Sequence, residues 1–133
     1  MKLTNLLSIS VLLLLASCSP KVVTNLIKTY PNPVPADSVR VFELGETLPN
    51  TAEAIGRVSV IDPGTATKCR YNEVVHLAQE AVGKAGGNGF AITWHEDPSF
   101  WRSSCHQISG LMLYLKDNEV DTLRANPVQY AID

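Results

Sequence analysis

The first eighteen residues constrain the chain most, because they combine a positively charged start, an apolar run and a cysteine. Lys2 precedes a leucine-rich stretch with four consecutive leucines at residues 12–15, and this stretch ends in two small residues and Cys18. Such a run is too short for a membrane-spanning helix, and small residues at its end are typical of a secretory cleavage site. We therefore predict that residues 1–17 are a signal peptide and that the mature chain begins at Cys18.

The sequence Leu15-Ala16-Ser17-Cys18 resembles the lipobox of bacterial lipoproteins. In a lipobox the cysteine thiol receives a diacylglyceryl group, the signal peptide is cut before the cysteine, and the new amine is acylated, with palmitate as the expected chain. Two or three acyl chains anchor a protein stably, whereas one chain binds a membrane reversibly. We expect lipidation at Cys18, and Ser19 in place of an Asp favours an outer-membrane anchor with the domain facing the periplasm. An ordinary secretory peptide followed by an incidental cysteine is the alternative.

Charge and cysteine count limit what the rest of the chain can be. The 133 residues carry 11 Lys and Arg against 13 Asp and Glu, so no basic patch for nucleic acid is expected. Without the signal peptide, the length suits one small domain and not two. Besides Cys18 the chain has Cys69 and Cys105, and an oxidising periplasm favours their pairing in a disulfide. The loop that this disulfide closes would contribute about 4 kcal/mol, which is large beside the stability of a small domain.

Prolines divide the mature chain into a tether, a body and a tail. Residues 18–36 are poor in charge and hold four prolines, three of them within residues 30–35, a pattern that forbids helix and disfavours sheet. We predict an extended linker there, up to about 55 Å long in polyproline geometry, with a peptide ligand for another protein as the alternative. Residues 37–116 are the predicted domain, and residues 117–133 are predicted to be a loosely ordered tail.

Apolar patterning in the body predicts one helix and four short strands. Apolar residues recur at helical spacing from an N-cap at Asn72 to the glycine pair Gly86-Gly87. The predicted strands are residues 39–42, 55–61, 90–94 and 108–115. The expected fold class is α+β, a small single domain in which one helix packs on a largely antiparallel four-stranded sheet, with one disulfide.

Three short segments of the body carry a family resemblance. They are Ile55-Gly56-Arg57-Val58, Ala85-Gly86-Gly87-Asn88-Gly89-Phe90 and Ser103-Ser104-Cys105. They resemble the Rcs stress-sensor outer-membrane lipoprotein and the related YbjQ-like domains, over residues 53–115. In that family a cysteine after the first strand is bonded to one at the start of a late strand, and Cys69 and Cys105 stand at matching places. The resemblance implies envelope-stress sensing and a tether that can pass through an outer-membrane β-barrel partner, although this chain has no cysteines for the family's second disulfide.

Candidate catalytic and metal-binding residues are few. Together, Cys69, Cys105, His95 and His106 would offer zinc the mixed ligands that it accepts. No pair has close ligand spacing such as C-x-x-C, and the adjacent Cys105 and His106 would point to opposite faces of a strand. A periplasmic cysteine with a partner available is also more often half of a disulfide than a nucleophile. We therefore predict no metal, no cofactor and no catalytic residue.

Other polar residues favour structural interpretations. Glu96 and Asp97 are neighbours in a predicted loop, where two carboxylates are not held across a substrate, so we expect a solvated turn. His76 lies off the apolar stripe of the predicted helix, and we expect it to be solvated. The glycines between residues 83 and 89 close a helix, whereas phosphate-binding loops open one.

The loop at residues 97–102 places Phe100, Trp101 and Arg102 together. We favour the interpretation that Phe100 and Trp101 fold back over the disulfide and one end of the sheet, as a small core requires. The alternative is a partner-contact site, since Trp and Arg are enriched in interface hot spots. Trp94, which alternates with an apolar neighbour, is predicted to lie in the core.

These observations lead to three functional hypotheses. The first is a lipid-anchored envelope protein that acts as a non-catalytic protein-binding or stress-sensing module. The second is a structural lipoprotein that assembles with copies of itself, as YbjQ-like domains can form rings. The third is a periplasmic enzyme or metal-binding protein.

Overall fold

The computed structural model describes residues 18–116, so the predicted signal peptide and tail lie outside the described residues. This range forms five strands, one α-helix and a 3₁₀ turn. In chain order these are β1 Lys21–Leu26, the turn Ala36–Ser38, β2 Arg40–Phe42, β3 Glu53–Ile61, α1 Tyr71–Lys84, β4 Gly89–Glu96 and β5 Gln107–Tyr114. Among the described residues, no helix has the length and apolar character to cross a bilayer.

The five strands form one mixed sheet in the order β1-β3-β5-β4-β2. β2 pairs with β4 in parallel, and the other neighbouring strands are antiparallel. The predicted fold class, a largely antiparallel four-stranded sheet, is therefore wrong. β2 and β3 follow each other along the chain but lie apart in the sheet, and β1 was not predicted at all. Every residue of β1 is exposed, so this edge strand has no buried alternation that a sequence pattern could reveal.

The segment predicted to be a free linker belongs to the domain. After β1, the Tyr30 amide donates to the Ala85 carbonyl over 2.9 Å, and the Val34 amide donates to the Gly83 carbonyl over 3.0 Å. The prolines between these residues remove amide donors without preventing an extended strap along the helix end. The predicted spacer of about 55 Å is therefore replaced by a segment that lies against the fold.

Helix α1 packs against one face of the sheet, and the main hydrophobic core lies between them. Val74, Ala78 and Val82 are fully buried on its inner face, as the helical spacing predicted. A smaller cluster on the opposite sheet face contains Phe42, Ala91, Leu113 and Leu115. The helix starts at Tyr71, two residues earlier than the predicted N-cap at Asn72 allows. The N-cap is Arg70, whose amide donates to the Glu73 carboxylate over 2.9 Å, in the manner of a capping box.

A β-bulge explains why the prediction for Trp94 is wrong. Ile92 pairs with Gly110, but the next paired residues are Trp94 and Ser109, so Thr93 is an extra residue in β4. One extra residue turns the following side chains to the other face of a sheet. Trp94 therefore lies on the open face with 43% of its surface exposed.

We predict that Gly83→Ala destabilises the domain by about 1–3 kcal/mol. A methyl group at Gly83 would overlap the backbone carbonyl oxygen of Val34, which no rotamer change can move. This overlap outweighs the gain of about 1 kcal/mol that Ala has over Gly inside a helix. Urea unfolding measures the change, with the exposed neighbouring substitution Lys84→Ala as the control expected to stay near the parent. An unchanged or raised midpoint for Gly83→Ala would refute the close packing of the strap.

Candidate functional site

Several residues that the sequence singled out lie near one end of the sheet. Cys18 is exposed with a free thiol, and its carbonyl oxygen accepts the Thr67 amide over 3.0 Å. Only two residues separate Cys18 from β1, whose first residue, Lys21, pairs with Ile61 at the end of β3. We call this end of the sheet, with the adjoining residues 62–70 and 97–106, the Cys18 end.

The disulfide between Cys69 and Cys105 is confirmed. Their Cα atoms are 5.1 Å apart, and both residues are buried. The His106 amide donates to the Cys69 carbonyl over 3.1 Å, which adds a backbone bond beside the covalent one. Both sulfur atoms are consumed by this bond, so neither cysteine can act as a nucleophile or as a zinc thiolate in this state.

Asp62 organises the loop next to the disulfide, and sequence reasoning missed it. Its carboxylate accepts the Gly64 amide over 2.8 Å and the Ser103 hydroxyl over 2.6 Å, while the Ser103 oxygen accepts the Cys105 amide over 3.0 Å. The Ser103 hydrogen bond, followed by those from the backbone, holds the pKa of Asp62 below its ordinary value. Asp62-Pro63-Gly64 is a recognisable turn sequence, but it carries no sign of the bond from Ser103 to Asp62.

The aromatic loop, residues 97–104, points its two large rings into solvent. Phe100 and Trp101 are 93% and 89% exposed, and their rings meet edge to face with centroids 5.2 Å apart. The prediction that they fold back over the disulfide is wrong, because both side chains are almost fully exposed. The Ser99 amide donates to the Ser103 carbonyl over 2.8 Å, which closes the loop on itself. Arg102 pairs with Glu96 over 3.3 Å at the base of the loop.

A histidine cluster contains His106, which follows Cys105 of the disulfide, and Asp97, the first residue of the aromatic loop. His95 Nε2 and His106 Nδ1 are 2.9 Å apart, and Asp97 Oδ1 lies 3.6 Å from each of these nitrogens. The ring of Tyr71 packs against both imidazoles, at centroid distances of 5.0 and 5.8 Å. Burial, together with a hydrogen bond to Glu43, raises the pKa of Tyr71, so it remains a neutral donor.

Of the four zinc ligands considered from the sequence, the structure brings the two histidines together and removes the two cysteines. Asp97, predicted to be a solvated turn residue, completes a group of three with the two histidines. The pairing of β4 with β5 creates this group from residues that are eleven positions apart in the chain. His76 lies elsewhere, exposed on α1 beside Glu80.

A groove of about 750 Å³ runs along the first half of α1. Its walls include Tyr71, Val75 and His76, and it reaches Ser19 beside Cys18. Carboxylates at its rim belong to Glu43, bonded to Tyr71, and Glu73, bonded to the helix N-cap. Both carboxylates are therefore engaged in local hydrogen bonds.

The chain matches no family model, no curated protein and no solved structure. The resemblance drawn from the sequence to the Rcs stress-sensor lipoprotein and YbjQ-like domains stays a prediction.

We predict that Asp62→Asn lowers stability at neutral pH and that the deficit shrinks in acid. Because the folded-state pKa of Asp62 is depressed, its ionised form stabilises the fold above the unfolded value of about 4. That contribution is lost as the pH falls through the folded-state pKa. At pH 7 the loss is about 1 kcal/mol, the value of one hydrogen bond.

Urea unfolding between pH 7 and pH 2 measures this difference from the parent protein. Asp37→Asn is the matched control, because the Asp37 side chain is 94% exposed. A constant difference between Asp62→Asn and the parent across this range would show that ionisation of Asp62 does not hold the loop.

Proposed function

We propose that this chain is a cell-envelope lipoprotein, acylated at Cys18, whose domain acts by contacting other proteins and not by catalysis. The lipobox-like sequence before Cys18 supports the anchor, as do the exposed thiol of that residue and the Cys69–Cys105 disulfide, which suits an oxidising compartment. Contact through the exposed aromatic residues Phe100 and Trp101 is the proposed mode of action, and sensing of envelope stress is its proposed biological use.

An anchor at Cys18 would hold the domain directly on the membrane. Three residue steps lead from Cys18 to the start of β1 at Lys21, a reach of about 10 Å when fully extended. The hydrogen bond from Thr67 to the Cys18 carbonyl shortens this reach further. Acyl chains on Cys18 would therefore bring the Cys18 end against the bilayer surface.

The single observation that carries the contact proposal is the exposure of Phe100 and Trp101 at this same end. The strand residue before Asp62 pairs with the first residue of β1, and Asp62 binds Ser103 in the aromatic loop. The loop therefore lies beside the attachment point. Exposed aromatics of this size are typical of interface hot spots and of membrane interfaces. The partner we propose is an outer-membrane protein, with a β-barrel as the resemblance implies.

Self-assembly is the second candidate, and β1 favours it. This six-residue strand ends the sheet, and no described residue pairs with its outer side. Val22, Val23 and Leu26 are exposed along it. An open, apolar edge is a template for pairing with another strand, including β1 of a second copy.

We predict that labelled palmitate is incorporated into the parent chain and into Ser17→Ala, but not into Cys18→Ser. The Ser17→Ala substitution keeps a small residue before the cleavage site and therefore keeps the motif. Mass spectrometry of the N-terminal peptide should place a thioether-linked diacylglyceryl group and an acylated amine on Cys18. Label retained by Cys18→Ser, or a mature chain with an unmodified Cys18, would refute the anchor.

We predict that a photoreactive amino acid replacing Trp101 captures a distinct membrane protein in intact cells. The matched controls are replacements at Thr24, on the outer edge of β1, and at Lys84, at the far end of α1 from Cys18. Trp101 should give a product that Lys84 does not, because only the Cys18 end faces the membrane.

Each pattern of capture decides between the two candidates. Identification of one membrane protein from position 101 supports protein contact. Capture of the same chain from position 24 supports self-assembly instead. Lipid as the sole product at position 101, or equal products at positions 101 and 84, would overturn the contact proposal.

A further inference from the structure

We propose that His95, Asp97 and His106 bind a divalent first-row transition metal ion, with Zn²⁺ as the expected occupant. The three atoms that face one another are His95 Nε2, His106 Nδ1 and Asp97 Oδ1, with separations of 2.9, 3.6 and 3.6 Å. A point equidistant from the corners of this triangle lies about 2.0 Å from each atom, which is the length of Zn–N and Zn–O bonds. The ligand atoms thus surround a space of the right size without movement of the backbone.

The fold holds both imidazoles in place. His95 lies in β4, and His106 lies just before β5, where its amide is bonded to the carbonyl of disulfide residue Cys69. The Tyr71 ring packs against both, and the two histidine side chains are only 22% and 24% exposed. Rigid, half-buried ligands lose little conformational entropy when a metal binds, because folding has already fixed the positions of their side chains.

The ligand set selects the class of metal. Two imidazoles and one carboxylate suit Zn²⁺ and its neighbours in the first transition row, whereas Ca²⁺ and Mg²⁺ prefer oxygen ligands throughout. Both cysteines near the cluster are in the disulfide, which leaves an N₂O set. Three protein ligands leave a further coordination position open, as in catalytic zinc sites. Asp97 is 81% exposed, so this position is reachable by water or by a ligand atom of another molecule.

A bound metal ion would replace the hydrogen bond between the two imidazole rings with a bond from each nitrogen to the metal. In the described state a hydrogen bond joins His95 Nε2 and His106 Nδ1, so one of these nitrogens carries a proton. A bound metal needs the lone pair of both, and the ring that carried this proton then holds it on its other nitrogen. The two states differ in tautomer, and each can be recognised by the nitrogen resonances of its rings.

Titration of Zn²⁺ into the full chain, purified in mild detergent, tests the proposal by calorimetry. We expect one ion per chain, affinity at least tenfold weaker in His95→Gln and in His106→Gln, and a smaller loss in Asp97→Asn. His76→Gln is the matched control, because it removes an exposed histidine with acidic neighbours outside the cluster. Equal affinity in the parent and in the His95→Gln/His106→Gln double variant, or loss of binding in His76→Gln, would overturn the proposal.

Measurements on the parent chain keep the test independent of how the variants fold. Zn²⁺ should shift the ring nitrogen resonances of His95 and His106 and leave those of His76 unchanged. Co²⁺ at one equivalent should give the visible absorption of a low-coordinate nitrogen and oxygen site, and Zn²⁺ should abolish it. Shifts of equal size at all three histidines, or none at His95 and His106, would refute the site.

Discussion

The Cys69–Cys105 disulfide fixes the end of the molecule on which everything else depends. Each cysteine stands two residues before an element, Cys69 before α1 and Cys105 before β5, so the bond sets where the helix begins relative to the sheet. It joins positions 36 apart. By restricting the unfolded chain, the disulfide stabilises the folded state by about 4 kcal/mol in the chain-entropy model. A domain of this size has little stability beyond that.

Three features share this constraint. The backbone bond between His106 and Cys69 places one histidine of the cluster, and the bond between Ser103 and Asp62 folds the aromatic loop. The Thr67 amide donates a hydrogen bond to the Cys18 carbonyl. Apart from Cys69, none of these residues belongs to the main core. They are positioned by hydrogen bonds that tie their short segments to neighbouring parts of the fold. Cys18, the aromatic loop and the histidine cluster therefore belong to the same end of the sheet.

The position of Cys18 determines how far the domain of the proposed lipoprotein could extend from the membrane. A long tether would let a domain search the periplasm at a distance, whereas a chain bonded at Thr67, Ala85 and Gly83 is strapped to its own fold. Contact with a partner would then occur at the membrane surface, where the aromatic loop lies. An exposed metal site beside that loop would add a ligand position at the same surface.

Local signals in the sequence determined several features, because each depends on residues close together in the chain or on composition. Helical spacing located α1 with its buried face, and the compartment argument paired Cys69 with Cys105. The signal peptide and lipidation at Cys18 also come from sequence alone and stay predictions.

Only the tertiary structure decided the rest. β1 is an edge strand with no buried side, so its place in the sheet depends on the partner strand and leaves no apolar pattern. A single extra residue at Thr93 turned Trp94 outward, and strand pairing across eleven positions brought His95 to His106. Register, bulges and edge pairing are set by contacts between distant segments, and periodicity within one segment carries no record of them.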